Sequence, residues 1–422
     1  MTPAQPTWFG QPRGLTILFL TNMWEQFSFY GMRVLLIYYM TKQLLFAQGQ
    51  ASVIYGTYAA CAYFTPIVGG ALADRYLGKR NAILIGGGMM ALGHFMMTFE
   101  ALLFPALAMI ALGNGLFLPS LPSQIDDLYE KDDPRLGWAY NVYYVGVNIG
   151  GLSAMVICGA LGEWYGWHYG FGLAGIGMVA GLCFYIWGQR YLPDQAKRTP
   201  RAEPGERGRF DRSTILLLVA IALSATVFRG AYEQMGNTVA VWIDASVDRS
   251  VGGLEIPRAW FQSLNPLLVM VMTPVLLVWW QRRADAGKPQ AAARKMATGA
   301  LIVAAAYVML AALEATHDGA SIGAAWGVLF FAVFTLGELY ILPTGLGLFA
   351  RLAPKGHGAT TVAAWFIASF TGNLAAGQVG RLWSEMSHSA YFLLLAGIAA
   401  LAAAMLWLAD PLERRAAART DA

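Results

Sequence analysis

Apolar runs long enough to cross a lipid bilayer follow one another along nearly the whole chain. A helix needs about 20 predominantly apolar residues to span the hydrocarbon core. Twelve such windows lie at 15–40, 51–73, 81–99, 102–121, 136–161, 169–188, 213–243, 258–280, 296–314, 323–349, 359–382 and 389–408. A membrane barrel shows short alternating segments instead, so the spans are predicted to be helices. Charged residues make up 13% of the chain and hydrophobic residues 57%, whereas a soluble domain carries about 25% charge. The 47 glycines fit the same reading, because small residues let membrane helices approach closely. Cys61, Cys158 and Cys183 all fall in spans. Their spacing matches no metal or redox motif, so they read as small buried side chains.

Six spans precede the hydrophilic stretch Arg190 to Arg212 and six follow it. That stretch carries seven Lys/Arg and three prolines and no apolar period, as a linker does. The expected architecture is an all-α integral membrane protein with twelve transmembrane helices. Residues 1–189 form an N-terminal six-helix bundle and 190–212 a cytoplasmic linker. Residues 213–422 form a C-terminal six-helix bundle with a short cytoplasmic tail. The positive-inside rule orients it. With the N-terminus inside, 23 of the 29 Lys/Arg are cytoplasmic and four (Lys42, Arg249, Arg258, Arg381) lie opposite. Both termini are therefore expected in the cytoplasm, with the first span as its own insertion signal. The net charge of +4 reflects these basic loops; no nucleic-acid partner is expected.

The 2–3 loop, Gly69-Gly-Ala-Leu-Ala-Asp74-Arg75-Tyr-Leu-Gly78-Lys79-Arg80, resembles the gating-loop motif of the major facilitator superfamily. That resemblance implies the superfamily fold, a central cavity between two bundles, and alternating access by rocking. Asp74 and Arg75 would supply ion pairs that open and close.

Further motifs, in order along both halves, resemble the proton-dependent oligopeptide transporter (POT) family. They are Trp24-Glu25 with Phe27-Ser28-Phe29-Tyr30-Gly31-Met32-Arg33 in span 1, Tyr55 and Tyr63-Phe-Thr-Pro66 in span 2, and Gly113-Asn-Gly115-Leu-Phe117-Leu118-Pro119 in span 4. Tyr144-x-Gly146-Val-Asn148-Ile-Gly150 follows in span 5, Tyr232-Glu233-Gln234-x-Gly236-Asn237 in span 7 and Leu264-Asn265-Pro266 in span 8. Gly337-Glu338-Leu-Tyr-Ile-Leu-Pro343, Pro354-Lys355, Trp365-Phe366 and Asn373 complete the series. The chain is an atypical member by this resemblance. Asn22 stands at the first glutamate of the span-1 motif, Gln26 at its arginine, and Leu118 at the span-4 lysine. Glu25 and Glu233 thereby lose the cations with which typical members pair them.

Ionisable groups at membrane depth are expensive and mark function. Away from span ends they are Glu25, Arg33, Arg229, Glu233 and Glu338. A dipeptide zwitterion asks for a cation at one end and an anion at the other. Arg33 is the candidate carboxylate clamp and Glu338 the candidate for the ammonium. The resemblance implies that Asn148 and Asn265 bond the peptide ends or backbone. It also implies that Tyr30, Tyr55 and Tyr63 supply hydroxyls, and that Trp365 and Ser369 line a side-chain pocket; interhelix bonding and plain packing are the competing readings. Glu25 and Glu233 are the proton-coupling candidates. Arg229 lies four residues before Glu233, on the same helix face, and stands in for the missing span-4 lysine; alternatively it snorkels to the end of span 7. His94 is expected to hydrogen-bond between helices. Asp126, Asp127, Glu130, Asp132 and Asp133 make an acidic 4–5 loop that pairs with basic loops in one gating state or is simply solvated.

The expected function is proton-coupled symport of di- or tripeptides by a monomer in a bacterial inner membrane, surrounded by lipid. Protons serve as the coupling ion, with no other cofactor or metal. The alternative is a transporter of another zwitterionic or peptide-like solute, weakly coupled or uncoupled to protons. With fewer fixed cations, weaker affinity or a narrower peptide range is expected. No Ser/His/Asp set, metal-ligand cluster or phosphate-binding glycine loop is present in the sequence, so an enzyme is not expected.

Overall fold

The computed structural model describes residues 7–8, 10–130, 133, 135–193, 210–287, 290–317, 321–353 and 357–420. Most of the linker, together with Asp132, Pro354 and Lys355, lies outside the described residues. Among the described residues the chain forms twelve long helices, one per span. Spans 1 to 6 are Arg13–Tyr38, Gln48–Leu72, Lys79–Met96, Leu103–Ser120, Arg135–Tyr165 and Trp167–Gly188. Span 7 begins at Arg212–Tyr232, and spans 8 to 12 are Arg258–Asp285, Ala292–His317, Ala324–Arg351, Gly358–Arg381 and His388–Thr420. By length and composition nine of the described helices are apolar enough to cross a membrane. Spans 1, 3 and 11 fall short of that mark, span 1 because of the polar and charged residues that make it informative. The strand pairs in the described residues are short, two residues each, and lie outside the long helices.

Span 7 departs from expectation. The hydropathy pattern runs unbroken over 213–243, yet the helix stops at Tyr232. A single 3₁₀ turn, Glu233–Gly236, follows, and a second helix runs Thr238–Ser246. Two local features make the break. Asn237 adopts φ −113°, ψ −94°, outside the helical region. A Cβ on Gly236 would lie 2.3 Å from the Tyr55 hydroxyl, so a side chain there would force Tyr55 to shift.

Contacts divide the chain into two compact units, residues 1–39 with 61–201, and residues 40–60 with 202–422. The sequence reading groups residues 40–60 with the first six spans; in the structure they cluster with the second unit. There Gln48 Nε2 donates to the Gly380 carbonyl (3.2 Å), Ser52 Oγ donates to Asn237 Oδ1 (2.8 Å), and a Cβ on Gly56 would lie 2.5 Å from Gly377 Cα.

The same packing plan serves both units. In the first, span 1 packs on spans 5 and 6, and span 3 on spans 4 and 6. In the second, span 7 packs on spans 11 and 12, and span 9 on spans 10 and 12. The equivalent pairs 3–4 and 9–10 meet through facing glycines. A Cβ on Gly86 would lie 2.6 Å from the Gly113 carbonyl oxygen, and one on Gly113 lies 2.5 Å from that of Gly86. The corresponding distances are 2.5 Å for Gly299 to Gly337 and 2.7 Å for the reverse. Such backbone-to-backbone contact is how membrane helices gain packing energy where lipid removes the hydrophobic driving force. The first unit adds Thr65 Oγ1 donating to Ala111 O (2.7 Å) and Asn114 Nδ2 donating to Ala62 O (3.0 Å).

The four cations expected on the arginine-poor side each meet an acid. Asp244 binds Lys42 (2.5 Å) and Arg258 (2.7 Å), Arg249 pairs with Glu255, and Arg381 lies 3.4 Å from Glu385.

Candidate functional site

The richest polar cluster of the second unit is built on the broken span 7. Arg229 Nη1 donates to Glu233 Oε1 at 2.8 Å, with side chains only 5% and 3% exposed. The i,i+4 spacing brings them together, and Gly372 on span 11 makes room: a Cβ there would lie 2.7 Å from Arg229 Cβ. Arg229 therefore turns inward and does not snorkel. Gln234, beside the pair, has both ends engaged. Its amide nitrogen donates to Gly230 O (2.9 Å) and Ala376 O (2.8 Å). Its oxygen accepts from Asn237 (3.3 Å), Thr238 (3.1 Å) and Tyr391 (3.1 Å). The bond to Gly230 O satisfies a backbone carbonyl next to the break in the helix, as a membrane interior requires.

Glu338 on span 10 sits in a different setting within the same unit. Tyr232 hydroxyl donates to its Oε1 at 2.8 Å and Asn265 Nδ2 to its Oε2 at 2.5 Å. Asn265 also donates to Thr335 Oγ1 (3.0 Å), one turn before Glu338. Tyr232 is itself held by stacking between Phe228 (5.8 Å) and Phe334 (5.6 Å). Glu338 forms no ion pair among the described residues, although Arg229 and Glu233 lie close enough to act on it electrostatically. The two acids are thus chemically distinct: Glu233 faces a guanidinium, and Glu338 has neutral donors on both oxygens. Sequence reasoning missed Tyr232, Gln234 and Thr335 as members of this cluster. The i−3 spacing of Thr335 from Glu338 could have revealed one of them; Tyr232 and Gln234 depend on the break in span 7.

In the first unit, Glu25 is 1% exposed and accepts from Gln26 Nε2 at 2.6 Å. The amide in the expected arginine position is thus its immediate partner. Asn22, in place of the first glutamate, donates to Tyr143 O on span 5 (3.2 Å). Arg33 lies two turns further along span 1 and is partly buried. Tyr30 makes an edge contact with Phe29 (5.4 Å) and lies against Gly151. Tyr63 is partly buried on span 2. Asn148 donates to its own helix at Tyr144 O (3.0 Å).

Tyr55, buried in the second unit, abuts Gly236. Trp365 is 6% exposed, contacts Phe349 at 5.3 Å, and lies against Gly345, where a Cβ would come within 2.3 Å of its ring. Ser369 is buried and its carbonyl accepts from Asn373 (2.7 Å). The gating-loop residues Asp74 and Arg75 are exposed on a π-helical turn, Ala73–Leu77, closed by Gly78 at φ 75°, a conformation glycine adopts without a Cβ penalty. Next to it Lys79 Nζ binds Asp127 (2.7 Å) and Ser123 O (2.9 Å), so the acidic loop does meet a basic one. His94 corrects an expectation: it is fully buried, and neither ring nitrogen has a hydrogen-bond partner among the described residues.

Comparison with known proteins bears on this arrangement. A family model described as PTR2, POT family, matches residues 80–202 and 206–397. A di-/tripeptide transporter of Lactococcus lactis subsp. cremoris is 30% identical, over 93% of this chain and 94% of its own length. The peptide transporter YePEPT of Yersinia enterocolitica is 31% identical, over 90% and 89%. A solved structure of a peptide transporter POT in complex with sulfate is 26% identical, covers 98% of this chain and 97% of its own, and superposes with a TM-score of 0.89.

Proposed function

This chain belongs to the POT family, and from that premise we propose that it is a proton-coupled symporter of di- and tripeptides working by alternating access. The observation that carries the reading is the contrast between the two buried acids of the second unit. Glu338 has two neutral donors and no ion pair among the described residues, so the α-ammonium of a peptide can supply a close cationic partner. Glu233 has a guanidinium at 2.8 Å, and a pair that opens and closes as a proton arrives suits a coupling group. Arg229 takes the part of the span-4 cation that Leu118 cannot play. Arg33 is assigned to the substrate carboxylate, with Tyr30, Tyr55, Tyr63, Asn148 and Asn265 as hydrogen-bonding groups. Trp365 and Ser369 are assigned to a side-chain pocket for the substrate, and Asp74 and Arg75 to the gating loop. The charge asymmetry supports an orientation with both ends in the cytoplasm, and the bacterial relatives support an inner membrane.

One contact favours a second reading, transport of another zwitterionic or peptide-like solute with weak proton coupling: Glu25 has an amide, Gln26, where a cation is expected. The test uses purified protein in liposomes containing a pH-sensitive dye. Dipeptides and single amino acids are added with and without an inward proton gradient. Dipeptide-dependent acidification that disappears in Glu233→Gln establishes symport. Uptake without proton movement selects the second reading, and no uptake of any dipeptide defeats the first.

A further inference from the structure

One flank of the first unit lies outside the residues assigned to substrate and protons. Ala180, Cys183, Phe184 and Trp187 line an open groove of about 380 Å³ along span 6. Their spacing puts them on one helix face, and Cys183, Phe184 and Trp187 are exposed. An apolar face alone is what any membrane helix shows to lipid. This groove, however, ends on charge. The Arg190 guanidinium lies 4.7 Å from the Trp187 ring and 4.9 Å from that of Tyr191. Arg13, at the start of span 1, lies 5.8 Å from the same Tyr191 ring and 5.3 Å from Trp8. Neither arginine pairs with a carboxylate among the described residues. Arg13 Nε is buried and has no hydrogen-bond partner there. A guanidinium stacked on aromatic faces keeps its edge donors available for a bidentate oxyanion.

We propose that this flank binds one anionic phospholipid, with its phosphate held by Arg13 and Arg190 and an acyl chain laid along Ala180 to Trp187. Trp187 joins the two halves of the site, since it both lines the groove and carries Arg190. Two cations with no carboxylate partner among the described residues select a headgroup of net negative charge over a zwitterionic one, whose own cation already neutralises its phosphate. Basic pockets at the mouths of membrane helices recognise anionic lipids on this principle.

The test is native mass spectrometry of the purified protein with equal amounts of phosphatidylglycerol and phosphatidylcholine. Wild type is expected to retain phosphatidylglycerol selectively. The double variant R13Q/R190Q should weaken that retention roughly 30-fold, the effect of losing two cations near a membrane surface. C183W keeps both cations but fills the groove, and should weaken it as well. Equal retention of the two lipids by wild type overturns the proposal. So does undiminished retention by R13Q/R190Q, or displacement of the lipid by inorganic phosphate with no effect of C183W, which would mark a simple anion site. If R13Q/R190Q is not monodisperse, wild type and W187F are compared with brominated lipids. Quenching of Trp187 by brominated phosphatidylglycerol beyond that by brominated phosphatidylcholine supports the site, and equal quenching refutes it.

Discussion

The Arg229–Glu233 pair lends itself to a double-mutant cycle. Its geometry is good, 2.8 Å between Nη1 and Oε1, and both side chains are almost completely buried. Solvent screening therefore does little to weaken it. Removing one member of a buried pair leaves the other charge uncompensated, which costs about 3–5 kcal/mol. A lone buried carboxylate can shed its charge by binding a proton, so the lower end, about 3 kcal/mol, is expected for Arg229→Met. Glu233→Gln leaves a guanidinium that has no such escape and should cost at least as much. Arg229→Met with Glu233→Gln leaves no charge in place, and neutral replacement of a buried pair is often close to neutral in stability. The two single losses should therefore fail to add, with an interaction term of about 3 kcal/mol or more. Unfolding in mixed micelles by titration with a denaturing detergent, followed by tryptophan fluorescence, measures all four corners. Additivity within about 0.5 kcal/mol would refute the reasoning, because it would show that the guanidinium and carboxylate do not depend on each other. In liposomes both single variants should also lose peptide-driven proton entry.

Further outcomes follow from other contacts. Asn265→Ala removes a charge-assisted donor from Glu338, worth about 1.5–3 kcal/mol; the KM for dipeptide uptake should rise at least tenfold while the protein stays folded by size-exclusion chromatography. Gly113→Leu drives a side chain into the Gly86 backbone and should destabilise the first unit by about 1–3 kcal/mol or more, read as a lowered Tm in detergent. Trp365→Ala should cost about 3–5 kcal/mol of stability, read as a lowered Tm, and raise KM if Trp365 lines the substrate pocket; an unchanged KM would leave it a packing residue. Asp133 is held below the usual carboxylate range, chiefly by the hydrogen bonds from Arg135. Whatever that contact contributes is present at neutral pH and lost only as pH falls through the depressed value. Asp133→Asn should leave the pH profile of transport unchanged between about pH 5 and pH 7.

The spans were legible because lipid imposes a simple rule, an apolar stretch of fixed length, and each expected window overlaps a helix. The Arg229–Glu233 contact was legible too, since i,i+4 spacing within one helix needs no tertiary information. Hydropathy could not show the break at Glu233–Gly236, because the contacts that surround it come from residues distant in sequence. Gln234 reaches Ala376 and Tyr391, and Gly236 yields to Tyr55. Tyr232 was not recognised beside Glu338 because the two are distant in sequence, whereas Thr335 was within reach of an i−3 argument. The association of residues 40–60 with the second unit rests on contacts such as Gly56 against Gly377, which no pattern within the segment announces. His94 was misjudged because sequence gives the residue type but not whether a partner stands within reach.

The facing glycines have a mechanical consequence. At Gly86–Gly113 and Gly299–Gly337 one backbone rests directly on another, with no side chain between them to change rotamer and absorb a shift. Spans 3 and 4, and likewise 9 and 10, are therefore expected to move together, each pair as one stiff unit. Compliance during a transport cycle must then be found elsewhere. The candidates are the 3₁₀ hinge of span 7 and the proline-interrupted span 8, which carries Pro266 and Pro274. Cross-linking span 3 to 4, or 9 to 10, should leave turnover intact, while stiffening the hinge should stop it.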